Sequence, residues 1–268
     1  MALLTVITVV KDDASGLENT LASLDAQVRS DTNLVVVDGS TDPVSVPTIL
    51  DKHPATTATY SWSPPAGVYA AMNEGLNIAD GAYVYFLNAG DILAGNDVLE
   101  QVTTKLAATT PTWAYGRVRF LGSDGSSMPE PDWDYVEEYR HWFARGRFPA
   151  HQGVVVAAEE LRRQGGFDTS YKVAADYASI LQCARQSKPL NLDLDLAEFT
   201  VGGLSTQQWR TAQAEFHRAR LSAFDLSGVD RAREQAYTWR AIAATSAYRA
   251  LWAPGRPAHG LVQRLRAR

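Results

Sequence analysis

The sequence predicts an α/β fold with a mainly parallel sheet, followed by a helical C-terminal extension. Three observations predict it. Short β-branched runs alternate with stretches of helical periodicity up to about residue 204. The first runs are apolar throughout, as strands covered on both faces are. From Ser205 the pattern changes to helices only. Strands and helices in alternation place neighbouring strands parallel, with helices on the faces of the sheet.

Each element follows from its own pattern. Leu3 to Val10 is an unbroken buried strand. Leu17, Leu21, Leu24 and Val28 then recur at helical spacing. Leu34 to Val37 is a second buried strand, ended by the dense turn Asp38-Gly39-Ser40-Thr41-Asp42-Pro43. Val68, Met72, Leu76 and Ala79 mark another helix, closed by Gly81, and Tyr83 to Leu87 is a third strand. Trp113 to Phe120 reads as a strand and the Gly-, Ser- and Pro-rich stretch Gly122 to Asp134 as a mobile loop. Val154–Ala157 is a short strand, Glu159–Gln164 a short helix stopped by Gly165-Gly166, and Ala175–Gln186 a helix. Leu190, Leu192, Leu194 and Leu196 alternate with polar residues, which marks a half-exposed strand. In the extension, Ala232, Ala236, Trp239, Ala243 and Ala250 share one helix face. The expected division is residues 1–204 and 205–268.

Composition bounds the function. With 268 residues, 46% of them apolar, the chain can bury a full core. The single cysteine, Cys183, excludes a disulfide framework and a multi-cysteine zinc site. No apolar run approaches the about 18 residues of a membrane span. Leu3 to Val10 has no basic segment before it, so it does not read as a secretion signal, and a cytoplasmic location is expected. The net charge of −5 argues against nucleic-acid binding. It hides an asymmetry: residues 1–204 carry −12, while the last 64 carry +7, with 11 Arg and no Lys. Two accounts of this tail are compatible with the sequence. It meets an anionic membrane surface peripherally, or it packs on the body or on a second copy as a homodimer with solvated arginines.

Ligands of open α/β sheets bind beyond the carboxyl ends of the strands. Those ends carry Lys11-Asp12-Asp13, Asp38-Gly39-Ser40-Thr41-Asp42 and Asn88-Ala89-Gly90-Asp91. There is no Gly-x-Gly-x-x-Gly after the first strand and no phosphate loop with its lysine, so a dinucleotide oxidoreductase is not indicated. Carboxylates at these positions suit a ribose or base edge and a divalent cation bridging phosphates.

Four blocks in order give the chain a family resemblance. They are Val6-Ile7-Thr8-Val9-Val10-Lys11-Asp12-Asp13 with Leu17-Glu18-Asn19-Thr20-Leu21; Val35-Val36-Val37-Asp38-Gly39-Ser40-Thr41-Asp42; Gly67-Val68-Tyr69-Ala70-Ala71-Met72-Asn73-Glu74-Gly75 leading into Phe86-Leu87-Asn88-Ala89-Gly90-Asp91; and His151-Gln152, then Gly165-Gly166-Phe167-Asp168, then Ala174-Ala175-Asp176-Tyr177. Over roughly residues 3–204 the chain resembles the inverting glycosyltransferases of family 2, with their GT-A fold, and the subgroup that builds bacterial exopolysaccharides and cell-surface glycolipids. The resemblance implies transfer of a sugar from a nucleotide-diphosphate sugar to a saccharide or lipid-linked acceptor. It implies donor contacts at Thr8, Asp13, Asp38, Asn73 and Asn88, a divalent cation (Mn or Mg) at Asp91, and the general base at Asp176. It sets His151 and Gln152 on the acceptor side.

The chain departs from the pattern in places. One residue is missing from the usual Asp-Gly-x-Ser-Thr-Asp spacing, and a turn cap is an equal reading of Asp42. Ser63-Pro64-Pro65-Ala66, Ala70 and Glu74 stand where similar proteins carry acids, an Asp and a Lys. That keeps a second reading open, a catalytically impaired nucleotide-sugar-binding protein. A sugar-nucleotide pyrophosphorylase is disfavoured, because Lys11-Asp12-Asp13 has the wrong charge for a triphosphate loop. Trp133, Tyr135, Tyr139, Trp142 and Phe143 could stack on sugars or pack a lid over the acceptor; core packing is the commoner use.

Overall fold

A computed structural model describes residues 2–25, 27, 31–42, 44–53, 58–122, 127–129, 148–200, 208–224 and 226–252. The elements run β1 (Leu4–Val10), α1 (Ala14–Leu24), β2 (Thr32–Asp38), α2 (Ser45–Leu50), β3 (Ala58–Trp62), α3 (Val68–Ile78), β4 (Tyr83–Phe86), β5 (Ile92–Leu93), α4 (Val98–Thr109), β6 (Trp113–Leu121) and β7 (Ser127–Pro129). After a 3-10 turn at His151–Gly153 come β8 (Val154–Ala157), α5 (Ala158–Arg163), α6 (Ala175–Gln186), β9 (Leu190–Thr200), α7 (Trp209–Ala223) and α8 (Gly228–Trp252).

The strands form one sheet in the order β3-β2-β1-β4-β8-β6-β9-β5, with β7 paired to β6. The first four are parallel, β1 lying between β2 and β4 with Ile7 opposite Val35 and Phe86. β8 runs antiparallel to both β4 and β6. The parallel half is the α/β unit that the alternating runs predict, and the mixed half is appended to it. Alternate residues of β1 enter opposite cores. Ile7 and Val9 meet Met72, Leu76, Tyr177 and Ile180 on one face. Leu4 and Val6 meet Leu17, Leu21, Leu99 and Leu106 on the other.

Five elements lie outside the sequence expectation: α2, β3, β5, α4 and β7. β3 is an edge strand whose side chains are all at least partly exposed, so no apolar run marks it. β5 is two residues long. Gly122 to Asp134 is not all loop, because β7 returns along β6 with Met128 opposite Phe120. The aromatic group from Trp133 to Phe143 lies outside the described residues.

α7 packs on the body through Ala219, Ala223, Phe216 and Phe224, whereas α8 joins α7 through polar groups. Arg220 of α7 is buried, and its Nε donates to Glu234 of α8 at 2.7 Å. A buried guanidinium needs such a carboxylate partner, and this sets which face of α8 turns inward. Ala232, Ala236, Trp239 and Ala243 therefore face solvent rather than the body, with Trp239 63% exposed. Arg264, Arg266 and Arg268 lie outside the described residues. Among the described residues no helix is long and apolar enough to cross a membrane.

Candidate active site

The loops after β1 and β2 are locked to each other. Asp12 takes a left-handed backbone, φ 52°, and its carboxylate accepts the Thr41 amide at 2.8 Å. In return the Asp12 amide donates to the Ser40 hydroxyl at 2.9 Å. Asp13 caps α1, accepting the Gly16 amide at 2.9 Å. Asp38 is fully buried; one oxygen accepts the Ser40 amide at 2.8 Å and the other the Tyr60 hydroxyl at 3.0 Å. Burial, then the bond to Asp38 and its charge, push the Tyr60 hydroxyl up to about 12. Asp42 accepts the Val44 amide at 3.0 Å, the turn-cap geometry.

A cleft of about 440 Å³ opens beyond these loops. Lys11, Gly39, the segment Ser63–Gly67, the first turns of α3 and Asn88 line it. Gly67 precedes α3 at φ 103°, a conformation that glycine adopts without strain, and no side chain caps the helix. The N-terminus of α3 and the Lys11 ammonium bring positive potential to this cleft, against the Glu74 carboxylate that also lines it. Glu74 is held by the Ser61 and Ser63 hydroxyls, the latter at 2.7 Å.

A second cavity of about 290 Å³ adjoins the first, and both are lined by Val68 and Asn88. Tyr69, His151, Gln152 and Asp176 reach it, with Phe120, Phe148, Phe199 and Phe216. Asp176 stands in the first turn of α6, where one oxygen accepts the Tyr69 hydroxyl at 3.0 Å and the Tyr177 amide at 2.8 Å. Burial, followed by the charge and bond of Asp176, holds the Tyr69 hydroxyl far above its ordinary value, so it remains a donor. Burial lowers His151, against the charge of Asp176. His151 Nε2 and Asn88 Oδ1 are buried with no hydrogen-bond partner among the described residues. Buried polar atoms are rarely left so, and a ligand polar group would satisfy them.

Asp91 is 5% exposed and does not line either cavity. Burial pushes its carboxyl up to about 7, against hydrogen bonds from the Gln152 side chain and the Asn88 backbone. It therefore lies one hydrogen bond behind two cavity-lining residues. Among the described residues no three His, Cys, Asp or Glu side chains converge on one point. A cation held by protein alone does not fit here. Asp91 offers a single carboxylate, set behind Asn88 and Gln152.

Two further sequence candidates are scaffold in their contacts. Thr8 is fully buried and donates to the Leu87 carbonyl at 2.8 Å, joining β1 to the end of β4. The Asn73 amide is used at both ends, donating to the Phe167 carbonyl at 2.8 Å and accepting the Phe167 amide at 2.7 Å. Gly166, at φ 77°, leaves room for Asn73 that a Cβ would fill. The structure thus brings Asn88, His151, Gln152 and Asp176 together, and sets Thr8, Asp13, Asp38 and Asn73 in the frame around them.

Three site residues escaped the sequence reading. Tyr69 lies in a quoted block, yet nothing local signals its bond to a residue 107 positions away. Glu215 of α7 accepts the Lys172 and Val173 amides at 2.8 and 2.9 Å, holding the segment before Asp176. Phe216, next to it, completes the cavity wall. A lone acid in a basic helix was the only signal for Glu215.

The fold and this pair of adjoining cavities beyond the strand ends are those of an α/β ligand-binding domain, and comparison with known proteins gives the family. The model for glycosyl transferase family 2 matches residues 5–159, and the chain belongs to that family. An uncharacterized glycosyltransferase of Mycobacterium tuberculosis is 29% identical over 208 residues, which cover 76% of this chain and 77% of the relative. A PGL/p-HBAD biosynthesis glycosyltransferase of Mycobacterium bovis is 28% identical over 173 residues, 63% of this chain and 65% of the relative. Among solved structures, residues 1–349 of TarS of S. aureus superpose with TM-score 0.67 at 16% identity, covering 96% of this chain and 76% of that fragment. The mannosyltransferase PcManGT of Pyrobaculum calidifontis, solved with GDP-Man and Mn2+, gives 0.63 at 21% identity, covering 99% and 79%. The fold is GT-A, with helices at the C-terminus.

Proposed function

We propose that the chain transfers a glycosyl group from a nucleoside-diphosphate sugar to an acceptor hydroxyl by one displacement that inverts the anomeric carbon. The larger cleft takes the donor and the smaller cavity the acceptor. The observation that carries this reading is their junction. Asn88 lines both cavities, Asp176 reaches the smaller one, and two buried polar atoms there await a partner. TarS has been solved with UDP-GlcNAc and PcManGT with GDP-Man, which supports a nucleotide-sugar donor.

In the reaction the acceptor oxygen attacks the anomeric carbon as the bond to the diphosphate breaks, and the bonding pair leaves on the diphosphate oxygen. The acceptor proton passes to the Asp176 carboxylate. The Tyr69 hydroxyl fixes that carboxylate in one orientation. His151, kept neutral by burial, and Asn88 orient polar groups of the bound substrates. Lys11 and the N-terminus of α3 favour the anionic end of the donor. A divalent cation at Asp91 would offset the charge that develops on the departing diphosphate.

The relative named for PGL/p-HBAD biosynthesis supports a role in cell-surface glycolipid or polysaccharide synthesis. Attachment of the arginine-rich C-terminal segment to an anionic membrane would bring the site to such acceptors. Liposome pelleting at low salt, reversed as salt rises, tests that attachment.

The test of the reaction is a panel of nucleotide sugars, each with Mn2+, Mg2+ or excess EDTA, read as nucleoside diphosphate released. Release from at least one donor, with loss in EDTA, is expected. NMR of the glycosylated product should show the anomeric configuration opposite to the donor's. Retained configuration overturns the single displacement, and full activity in EDTA overturns the cation at Asp91. Donor binding without any turnover would favour the impaired, binding-only reading that Ala70 and Glu74 keep open.

A further inference from the structure

The wall of the smaller cavity has two chemically distinct sides. Asn88, His151, Gln152 and Asp176 bring polar atoms from the end of β4, the 3-10 turn and α6. Phe120, Phe148, Phe199 and Phe216 come from β6, the segment before the 3-10 turn, β9 and α7. The phenylalanines stand in two edge-to-face pairs. Phe120 and Phe199 have centroids 6.0 Å apart at 82°, and Phe148 and Phe216 5.4 Å apart at 71°. All four are half-buried and line the cavity, with Phe148 and Phe216 also packed on Tyr177 at 4.5 and 4.8 Å between centroids.

Charge narrows the occupant. Among the described lining residues there is no lysine or arginine, and the one fixed charge is the Asp176 carboxylate. A phosphate beside the reacting hydroxyl would meet repulsion from that carboxylate, with no cation among the described lining residues to offset it. A bare sugar can lay one C–H face on an aromatic ring, but its rim hydroxyls would then meet the remaining rings and lose water without gaining a partner there. An apolar body would instead remove ring surface from water on both sides. Size narrows it further. A cavity of about 150 Å³ holds benzene, and this one is about 290 Å³. The described walls give room for one ring or a short chain with its hydroxyl.

We propose that the acceptor is a neutral alcohol or phenol whose hydroxyl, facing Asp176, ends an apolar aryl or alkyl body held by Phe120, Phe148, Phe199 and Phe216. This rests on the smaller cavity being the acceptor site of the proposed transfer.

The experiment uses the full chain with whichever nucleotide sugar it hydrolyses. It has four acceptor arms at equal concentration: 4-ethylphenol, 1-hexanol, methyl glucoside and 4-hydroxyphenyl phosphate. Glycosylated product is read by mass spectrometry and nucleoside diphosphate release in the same samples. The 4-ethylphenol or the 1-hexanol arm should exceed the other two by about tenfold or more, and the faster of the pair tells aryl from alkyl. Methyl glucoside matching or exceeding both apolar arms overturns the proposal. So does absence of product in both apolar arms while the donor is still turned over, and that outcome leaves the donor reading standing. Absence of donor turnover together with absence of calorimetric donor binding sinks the underlying reading as well. Phe199→Ala and Phe216→Ala, on separate elements, should each raise the half-saturating concentration of the apolar acceptor roughly 5- to 50-fold. Phe216→Leu should recover most of that loss. Unchanged half-saturation in both alanine variants, with unchanged melting curves, also overturns the proposal.

Discussion

The loops after β1 and β2 and the junction of the two cavities both gather polar residues at strand ends, yet they treat them oppositely. In the first region every acid has work inside the protein. Asp12 and Asp38 hold backbone amides of the opposing turn, Asp13 caps α1, and Asp42 caps its own turn. At the junction, Asn88 Oδ1 and His151 Nε2 are buried with no partner among the described residues. Asp91 is buried where its charge is disfavoured. A satisfied polar group lowers the free energy of the fold, whereas an unsatisfied one raises it and is retained where a ligand completes it. The acids after β1 and β2 that stand out in the sequence therefore build the frame, and the less conspicuous amide and imidazole are the groups left unsatisfied.

Substitutions can break this contrast. The largest effect is expected at Asp176. Asp176→Asn should lower transfer by roughly 10²- to 10⁴-fold, the usual worth of a general base. Donor affinity by calorimetry should hold. Unchanged turnover would remove Asp176 from the role.

Asp91 should show the cost of a site residue to the fold. Its carboxyl is raised from 3.8 to about 7 in the folded protein. The folded state thus favours the protonated form, so stability is full below pH about 4 and declines as pH rises through about 7. Asp91→Asn removes that decline. It should stabilise the protein above pH 7 by up to about 4 kcal/mol and leave stability near pH 4 unchanged. Thermal melts across pH check this; a stabilisation that grows as pH falls would contradict it.

Asp38 and Asn88 form the direct contrast. Asp38→Ala strands the Ser40 amide and removes the acceptor of the Tyr60 hydroxyl, and should cost about 2–3 kcal/mol in urea denaturation. Asn88→Ala leaves no partner stranded and should change stability by under about 1 kcal/mol. Its turnover should nevertheless fall about tenfold or more. The reverse pattern would invert the division between frame and site. The smallest effect is expected at Tyr69 and Glu215, which act through Asp176. Tyr69→Phe should cost about tenfold in kcat, with donor binding unaltered. Glu215→Gln should cost less, because the amide oxygen still accepts one of the two backbone amides. A change confined to KM in either variant would argue against positioning of the base.

Much of the frame was legible because its signals are local. The apolar run of β1, the leucine spacing of α1 and the Ala175–Gln186 helix state their burial within a few residues. The four blocks marked the strand ends and, within them, Asp176, His151, Gln152 and Asn88, which the fold brings to one cavity. The same blocks also marked Thr8 and Asn73, whose polar atoms the fold spends on Leu87 and Phe167. From composition alone the two kinds cannot be separated, since both are polar residues at element ends.

The sequence by itself determined which segments are strand or helix in the parallel half, and that one acid begins α6. Periodic burial is a property of neighbouring residues, and it survives whatever the rest of the chain does. Only the tertiary structure decided which polar atoms are satisfied. Tyr69 reaches Asp176 and Glu215 reaches Val173 because α3, α6 and α7 meet in space. α8 turns Trp239 outward because the buried Arg220 of α7 requires Glu234 on the inner face. Hydrogen bonds and ion pairs between distant residues depend on distance in the folded chain, and no local pattern of residue types encodes it.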